Sequence, residues 1–374
     1  MQDVFLTGSG LYTPAESISN EELVVAFNTY VERFNQRHAA DIENGAMEPL
    51  QPSDPDFITK ASGIKSRYVV DKKGIIDPEV MCPRIRTRSN DEASLMCEMA
   101  LAACQQALQK AGRSVADVDG VVVACSNMPR AYPALAVEIQ HYLGIDGFAF
   151  DLNVACASAT FGMQSAADMI RSGNARRLLV VNPEICTAHL NFRDRDSHFI
   201  FGDACTAVLL EGGSGLQSDD VWKLLATRLK TQFSSNIRNN FGFLNRCEQE
   251  EPRSDADILF VQEGRKVFKE VVPMVSTLIQ EHLEAIGLSP EGVKRMWLHQ
   301  ANLNMNQLIA KRVLGREATL EEAPVVLDDY ANTSSAGSVI AFHQYHRDMQ
   351  SGDVGVLCAF GAGYSAGSAI LQRM

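Results

Sequence analysis

One run constrains the fold more than any other: DLNVACASATFGMQSAADMI, residues 151–170. From Cys156 to about 172 it reads as a helix that is small and apolar on nearly every side, through Ala157, Ala159, Phe161, Gly162, Met163, Ala166, Ala167, Met169 and Ile170. A helix without a polar face belongs in the middle of a core, so the rest of the chain must pack around it. At 374 residues and 46% hydrophobic content the chain can do so, as one large domain or two ordinary ones.

Around that helix, β-branched runs alternate with helical patterns in the same rhythm twice over, the mark of a duplicated α/β unit. The clearest strands of the first half are 4–11, 118–126, 176–184 and 204–213; the pattern 91–112 reads as a helix with acids in its first turn and a glycine stop. In the second half a helical period from Gly264 to Gly287 is followed by strand VKRMWL and a short helix from about Met305 to Leu314. A strand PVVLD, a helix from about Ser335 to Met349 and a closing pair, VGVLCAF and SAGSAILQ, complete it. The halves divide at about residue 214, into 1–214 and 215–374. Segments 33–56 and 232–257 break the rhythm: polar and long, they read as surface insertions, which often cap sites and as often are ornament.

A formal charge of −12 disfavours nucleic acid or an anionic membrane as partner. Nine scattered cysteines, without a CxxC pair or a Cys/His cluster at zinc spacing, predict reduced thiols, no disulfide framework and no metal. No signal-like N-terminus or membrane-length apolar run is seen, which predicts a soluble, cytoplasmic protein.

Several polar islands stand in these apolar surroundings. Cys156 follows the strand FAFDLNVA and opens the central helix, where free N–H groups and the helix dipole would stabilise a thiolate and make it nucleophilic near neutral pH. Taken alone it reads more readily as a small buried residue. His299, in WLHQANLN, sits at the C-terminal end of a strand, the edge where open α/β sheets bind ligands, though a lone His there is more often structural. Asn332, in DDYANTSSAGS, precedes a helix, as an N-cap or as a second polar arm of a site. The glycines of AFGAGYSAG allow either a plain hairpin or a backbone N–H brought close to a ligand.

In order and approximate spacing, NVACAS, HQAN, YANTSSAG and FGAGYSAGSAIL resemble the motifs of the thiolase superfamily, and within it β-ketoacyl-acyl carrier protein synthase III. SGIKSRYV, FGDACTAVLLEGG and VFKEVVPMV extend the resemblance over nearly the whole chain. It implies a thiolase-like, five-layered α-β-α-β-α fold of two similar halves, a homodimer, and no cofactor, with acyl-CoA and malonyl-acyl carrier protein as substrates. It also implies roles. Cys156 would take the acyl group, His299 and Asn332 would stabilise the enolate formed on decarboxylation, and the backbone amides of Cys156 and Ala362 would hold the oxyanion.

A degradative thiolase would place a second cysteine two positions before the C-terminal glycine cluster. Cys358 lies three before Gly361, and one residue of offset turns a strand side chain to the opposite face, so Cys358 is expected in the core. The resemblance has gaps. Where the family carries a tryptophan and an arginine for the CoA adenine, this chain has Phe57 and Ala61, while Arg195 matches. Lys269, Lys311 and Arg312 match carrier-protein docking positions, and Asn304 stands where a further arginine is expected. Tyr132 aligns with the residue that reaches the far end of the partner's acyl pocket; its size argues for a short primer. The insertions argue for a long-form subgroup that uses medium-chain acyl-CoA. Rival readings are a polyketide, alkylquinolone or head-to-head condensing enzyme, or a non-catalytic subunit on the same fold.

Overall fold

The computed structural model describes residues 2–213, 215–248 and 253–374. Strand β1 (Val4–Tyr12) is followed by β2 (Glu16–Ser19), α1 (Asn20–Arg37), α2 (Ala39–Glu43), α3 (Pro55–Ser62), β3 (Ser66–Val69) and α4 (Lys72–Ile76). Next come α5 (Leu95–Ala111), β4 (Gly120–Ala124), α6 (Leu135–Leu143), β5 (Phe148–Leu152), α7 (Ser158–Arg171), β6 (Arg177–Ile185) and β7 (Asp203–Gly212). The second half runs β8 (Trp222–Ser234), β9 (Ile237–Asn239), α8 (Asp255–Ile258), β10 (Phe260–Gln262), α9 (Gly264–Ala285), β11 (Val293–Leu298), α10 (Leu303–Leu314), α11 (Leu327–Tyr330), α12 (Ala336–Gln344), β12 (Val354–Gly361) and β13 (Gly363–Arg373).

The strand order is β5-β4-β6-β7-β1 in the first half and β11-β12-β13-β8 in the second. Four strands of each half repeat one pattern: β4–β6 and β11–β12 pair parallel, and the next two pairings of each are antiparallel. The sheets meet where β1 and β8 pair over Phe5–Lys223 and Leu6–Trp222.

Strand alternation builds the layers. On β6, Leu179 and Val181 face an outer cluster with α5 and α6, while Leu178 and Val180 face a central cluster. On β12, Val354, Val356, Cys358 and Phe360 face a second outer cluster under α9 and α10, and Leu357 faces the centre. The central layer is α7 and α12, each packed against strands of both sheets. This puts the all-apolar helix in the middle of the core, as expected, and gives the α-β-α-β-α order that the family resemblance implies. How tightly α7 is held shows at Gly367 on β13, where a Cβ would come within 2.2 Å of Thr160 Oγ1. Cys358 is buried in the outer cluster, on the face away from the centre, as its offset predicted.

Four local expectations fail, wholly or in part. PVVLD is not a strand: the Gln300 side chain accepts from the N–H groups of Val326 and Leu327 at 2.9 and 3.3 Å, doing the work of a neighbouring strand, and Leu327 opens a helix instead. The insertion 33–56 does lie at the surface, with only Ser53 buried, but it is not all loop. A Ser19–Glu22 capping box starts α1, which runs on to Arg37. Asn28 and Asn35 then each trade two hydrogen bonds with the backbone of Ser53 and Leu50, laying the returning chain along the helix. Within 232–257, β8 continues to Ser234 and β9 pairs with β10; residues 249–252 lie outside the described residues. Finally, Ser94 caps α5, so Asp91 and Glu92 fall before it rather than in its first turn, and Glu92 pairs with Arg86.

Candidate active site

Cys156, His299 and Asn332 open on one cavity of about 240 Å³. Each is delivered by the core. His299 is the first residue after β11, and its backbone N–H donates to the Cys358 carbonyl at 2.8 Å, prolonging the sheet by one bond. Asn332 bridges to Phe201, with its N–H on the Ile200 carbonyl at 2.9 Å. Its Oδ1 accepts from the Ser334 N–H at 2.8 Å, so the amide is oriented with Nδ2 as the remaining donor end. Cys156 lies on the turn into α7, and the Ser334 hydroxyl donates to its sulfur at 3.3 Å.

The backbone is strained here. Among the described residues four non-glycines have positive φ, and three of them, Ala155, Ala331 and Ser334, flank the cysteine and the asparagine. Such conformations cost on the order of 1 kcal/mol each and persist where surrounding structure imposes them. Gly361, at the end of β12, completes the fit: a Cβ there would lie 2.6 Å from Cys156 Cβ and 3.0 Å from its sulfur.

The electrostatics depart from the sequence reading at Cys156. Burial pushes its thiol up to about 11, against opposing hydrogen bonds from Ser334 and from the backbone N–H groups of Cys156 and Ala362. Desolvation outweighs those hydrogen bonds, and two amides at the start of the helix are turned to other partners: Ala157 N–H donates to Val154 O and Ser158 N–H to Ala155 O, both at 3.1 Å. The resting residue is therefore a neutral thiol, not the thiolate expected near neutral pH. Burial likewise lowers His299 to about 4, so its ring is neutral, with one N–H to donate and one lone pair. The amides of Cys156 and Ala362 converge on the sulfur, the arrangement that stabilises an oxyanion formed there.

The cavity is lined by Phe201, Ile237, Phe260, Val271 and Phe360, an apolar wall suited to an alkyl chain. Ile237 and Phe260 belong to the β9–β10 hairpin, so the second insertion reaches the site. Ala61, Ser62 and Asn302 also line it. Phe57 lies beyond Phe199, edge-on to it at 6.2 Å, and the Arg195 guanidinium stacks directly on the Phe57 ring at 4.9 Å. Arg195 Nε also donates to the Pro52 carbonyl at 2.8 Å, tying the first insertion to the same rim. A base entering between Phe57 and Arg195 must part them.

Lys269 is exposed on α9, next to the cavity-lining Phe268. Lys311 and Arg312 lie in the last turn of α10, with Lys311 paired to Glu317. Tyr132 is 85% exposed and lies apart from the Cys156 cavity, at a second cavity of about 1180 Å³ that it shares with Tyr142 and Phe241. The sequence reading missed Ser334, whose hydroxyl signals nothing until the loop is seen, and Gln300, which props the Asn332 approach.

Comparison with known proteins agrees with this geometry. Residues 150–232 match the family model 3-oxoacyl-(acyl-carrier-protein) synthase III, and residues 283–373 match the model of its C-terminal part. The β-ketodecanoyl-(acyl-carrier-protein) synthase of Pseudomonas aeruginosa is 61% identical over 93% of this chain and 99% of its own length. The β-ketoacyl-(acyl-carrier-protein) synthase III of Allorhizobium ampelinum is 30% identical over 88% and 94%. Among solved structures, the priming β-ketosynthase of the R1128 polyketide pathway superposes with a TM-score of 0.77 at 26% identity, covering 99% of this chain and 96% of that one. With Cys156, His299 and Asn332 opening on one cavity between two repeated halves and these relatives spanning nearly the whole chain, the chain belongs to the 3-oxoacyl-(acyl-carrier-protein) synthase III family of condensing enzymes.

Proposed function

We propose that this chain joins an acyl-CoA primer to malonyl-acyl carrier protein in a decarboxylating Claisen condensation that initiates fatty-acid synthesis. The observation that carries the reading is the meeting of Cys156, a neutral His299 and the Nδ2 end of Asn332 in one apolar cavity. The Cys156 sulfur attacks the primer thioester; the S–C bond forms, CoA leaves as its thiol, and the cysteine proton passes out with it. The malonyl thioester then enters. Loss of CO2 leaves a carbanion whose charge spreads onto the thioester oxygen, and His299 and Asn332 donate to that oxygen. The carbanion attacks the acyl carbonyl, whose oxygen is held by the Cys156 and Ala362 amides, and collapse expels the cysteine sulfur. No strong base is required, because decarboxylation supplies the electron pair.

The 61% relative makes a ten-carbon 3-oxoacyl product by its name. Each condensation adds two carbons, so we infer an eight-carbon primer here. Phe57 and Arg195 are assigned to the CoA adenine, and Lys269, Lys311 and Arg312 to the acidic carrier protein, a local basic patch on an acidic enzyme. Strand β5, partly exposed along its length at the sheet edge, and the exposed Tyr132 support a homodimer in which a second copy covers this face. Among the described residues no helix is long and apolar enough to cross a membrane; nine free thiols fit a reducing, cytoplasmic setting.

The test is to weigh the intact protein after incubation with acyl-CoAs from acetyl to dodecanoyl. A single adduct, strongest with octanoyl and missing in Cys156→Ala, supports the reading. Absence of any adduct sinks it in favour of a carrier-bound donor or a non-catalytic subunit. Turnover with malonyl-CoA in place of the carrier-bound extender would point to a polyketide or head-to-head enzyme instead.

A further inference from the structure

Behind the nucleophile lies a carboxylate for which the proposed chemistry has no use. Glu184, at the end of β6, is fully buried. Its Oε1 accepts from the backbone N–H groups of Ser126 at 2.9 Å and Ser335 at 3.2 Å, and from the Ser335 hydroxyl. Its Oε2 accepts from the Ser126 hydroxyl at 2.6 Å, with the Cys186 thiol at 3.7 Å. The titratable groups that face it are thiols, Cys125, Cys156, Cys186 and Cys205, with Asp203 beyond Cys186. A carboxylate so placed is satisfied by donors and uncompensated by charge. Burying it costs stability that a neutral residue would spare.

Its partners show what it holds. Ser335 follows Ser334, whose hydroxyl reaches the Cys156 sulfur and whose N–H orients Asn332. Ser334 and Ala331 both need left-handed backbone, so this loop keeps its shape only under outside restraint. Glu184 supplies that restraint, clasping Ser335 on one side and Ser126, just past β4, on the other. Because Ser335 bonds Glu184 while the adjacent Ser334 bonds the Cys156 sulfur, the negative charge is held close enough to that sulfur to oppose charge on it.

We propose that Glu184 is a positioning residue: through Ser335 it fixes the loop that presents Ser334 to the nucleophile and Asn332 to the cavity, while its carboxylate opposes a thiolate at Cys156. The first effect serves condensation and rests on the function proposed above. The second keeps the resting sulfur a thiol, less reactive than a thiolate.

Both effects can be read on the full-length enzyme with Glu184→Gln, Ser335→Ala and Glu184→Asp. The first readout is the rate of iodoacetamide alkylation of Cys156 across the neutral and alkaline range, followed by intact mass with Cys156→Ala as control. It needs no acyl substrate, so its failure is distinct from failure of the condensation reading. Glu184→Gln is expected to move the alkylation midpoint down by about one pH unit, making Cys156 roughly tenfold more reactive near neutrality. Glu184→Asp restores the parent profile. Ser335→Ala keeps the charge, so its alkylation profile stays put while its condensation kcat falls about tenfold, at little change in KM for acyl-CoA. An unchanged alkylation profile in folded Glu184→Gln overturns the proposal. If that variant does not fold, an unchanged kcat in Ser335→Ala overturns it instead.

Discussion

The inside of the site and its rim are built differently. Cys156, His299 and Asn332 hang from the ends of core elements, and their backbones are pinned by sheet bonds, a left-handed turn and the Gly361 contact. Phe57, Arg195 and Lys269, by contrast, stand on surface helices and loops, partly or wholly exposed, with Arg195 resting on Phe57. The residues assigned to chemistry are thus the most tightly packed, and those assigned to recognition the most open to solvent. The lesson is that a small displacement should be ruinous inside and mild outside.

That contrast can be broken by experiment, and the sharpest blow is Cys156→Ala. It should remove the acyl-enzyme adduct and lower turnover by about four orders of magnitude or more, measured by intact mass and product formation. Next is pH. A thiol held at about 11 is mostly protonated at neutrality, so the acylation rate should climb about tenfold per pH unit through the neutral and moderately alkaline range. A plateau near neutral pH in single-turnover acylation would show a resting thiolate instead. Replacing His299 or Asn332 by Ala should cost about 10²–10³-fold in condensation while leaving acylation largely intact; if His299→Ala stopped acylation alone, the roles assigned above would be wrong. Gly361→Ala, which adds one carbon 2.6 Å from Cys156 Cβ, should slow acylation about a hundredfold. At the rim, Arg195→Ala should raise KM for acyl-CoA only about two- to fivefold, as loss of one exposed cation–π contact allows. A larger rim effect than a core one would invert the comparison.

The same division explains what could be read from letters. The duplicated α/β rhythm and the central place of the all-apolar helix were legible from strand alternation and helix patterning, while the five layers came only with the family resemblance. The three catalytic candidates were each ambiguous alone and became legible only as a set, because their motifs occur in the order and approximate spacing of a known family. PVVLD was misread because its β-branched letters were true to type while the partner that satisfied them was a side chain, Gln300, twenty-six residues away in sequence. The thiol was misread because dipole arguments count helix ends, whereas its ionisation is governed first by burial, which only the fold shows. Glu184 was invisible for a related reason: in RRLLVVNPE it looks like the polar end of a strand, and only the fold places Ser126 and Ser335 around it.

Gly361 and Cys156 come from opposite halves of a duplicated fold, and the hydrogen that glycine keeps in place of a Cβ is the room the sulfur stands in. A side chain at Gly361 that shielded Cys156 from a covalent inhibitor would have to displace the very cysteine it protects, so under the function proposed above resistance by that route would carry loss of activity with it.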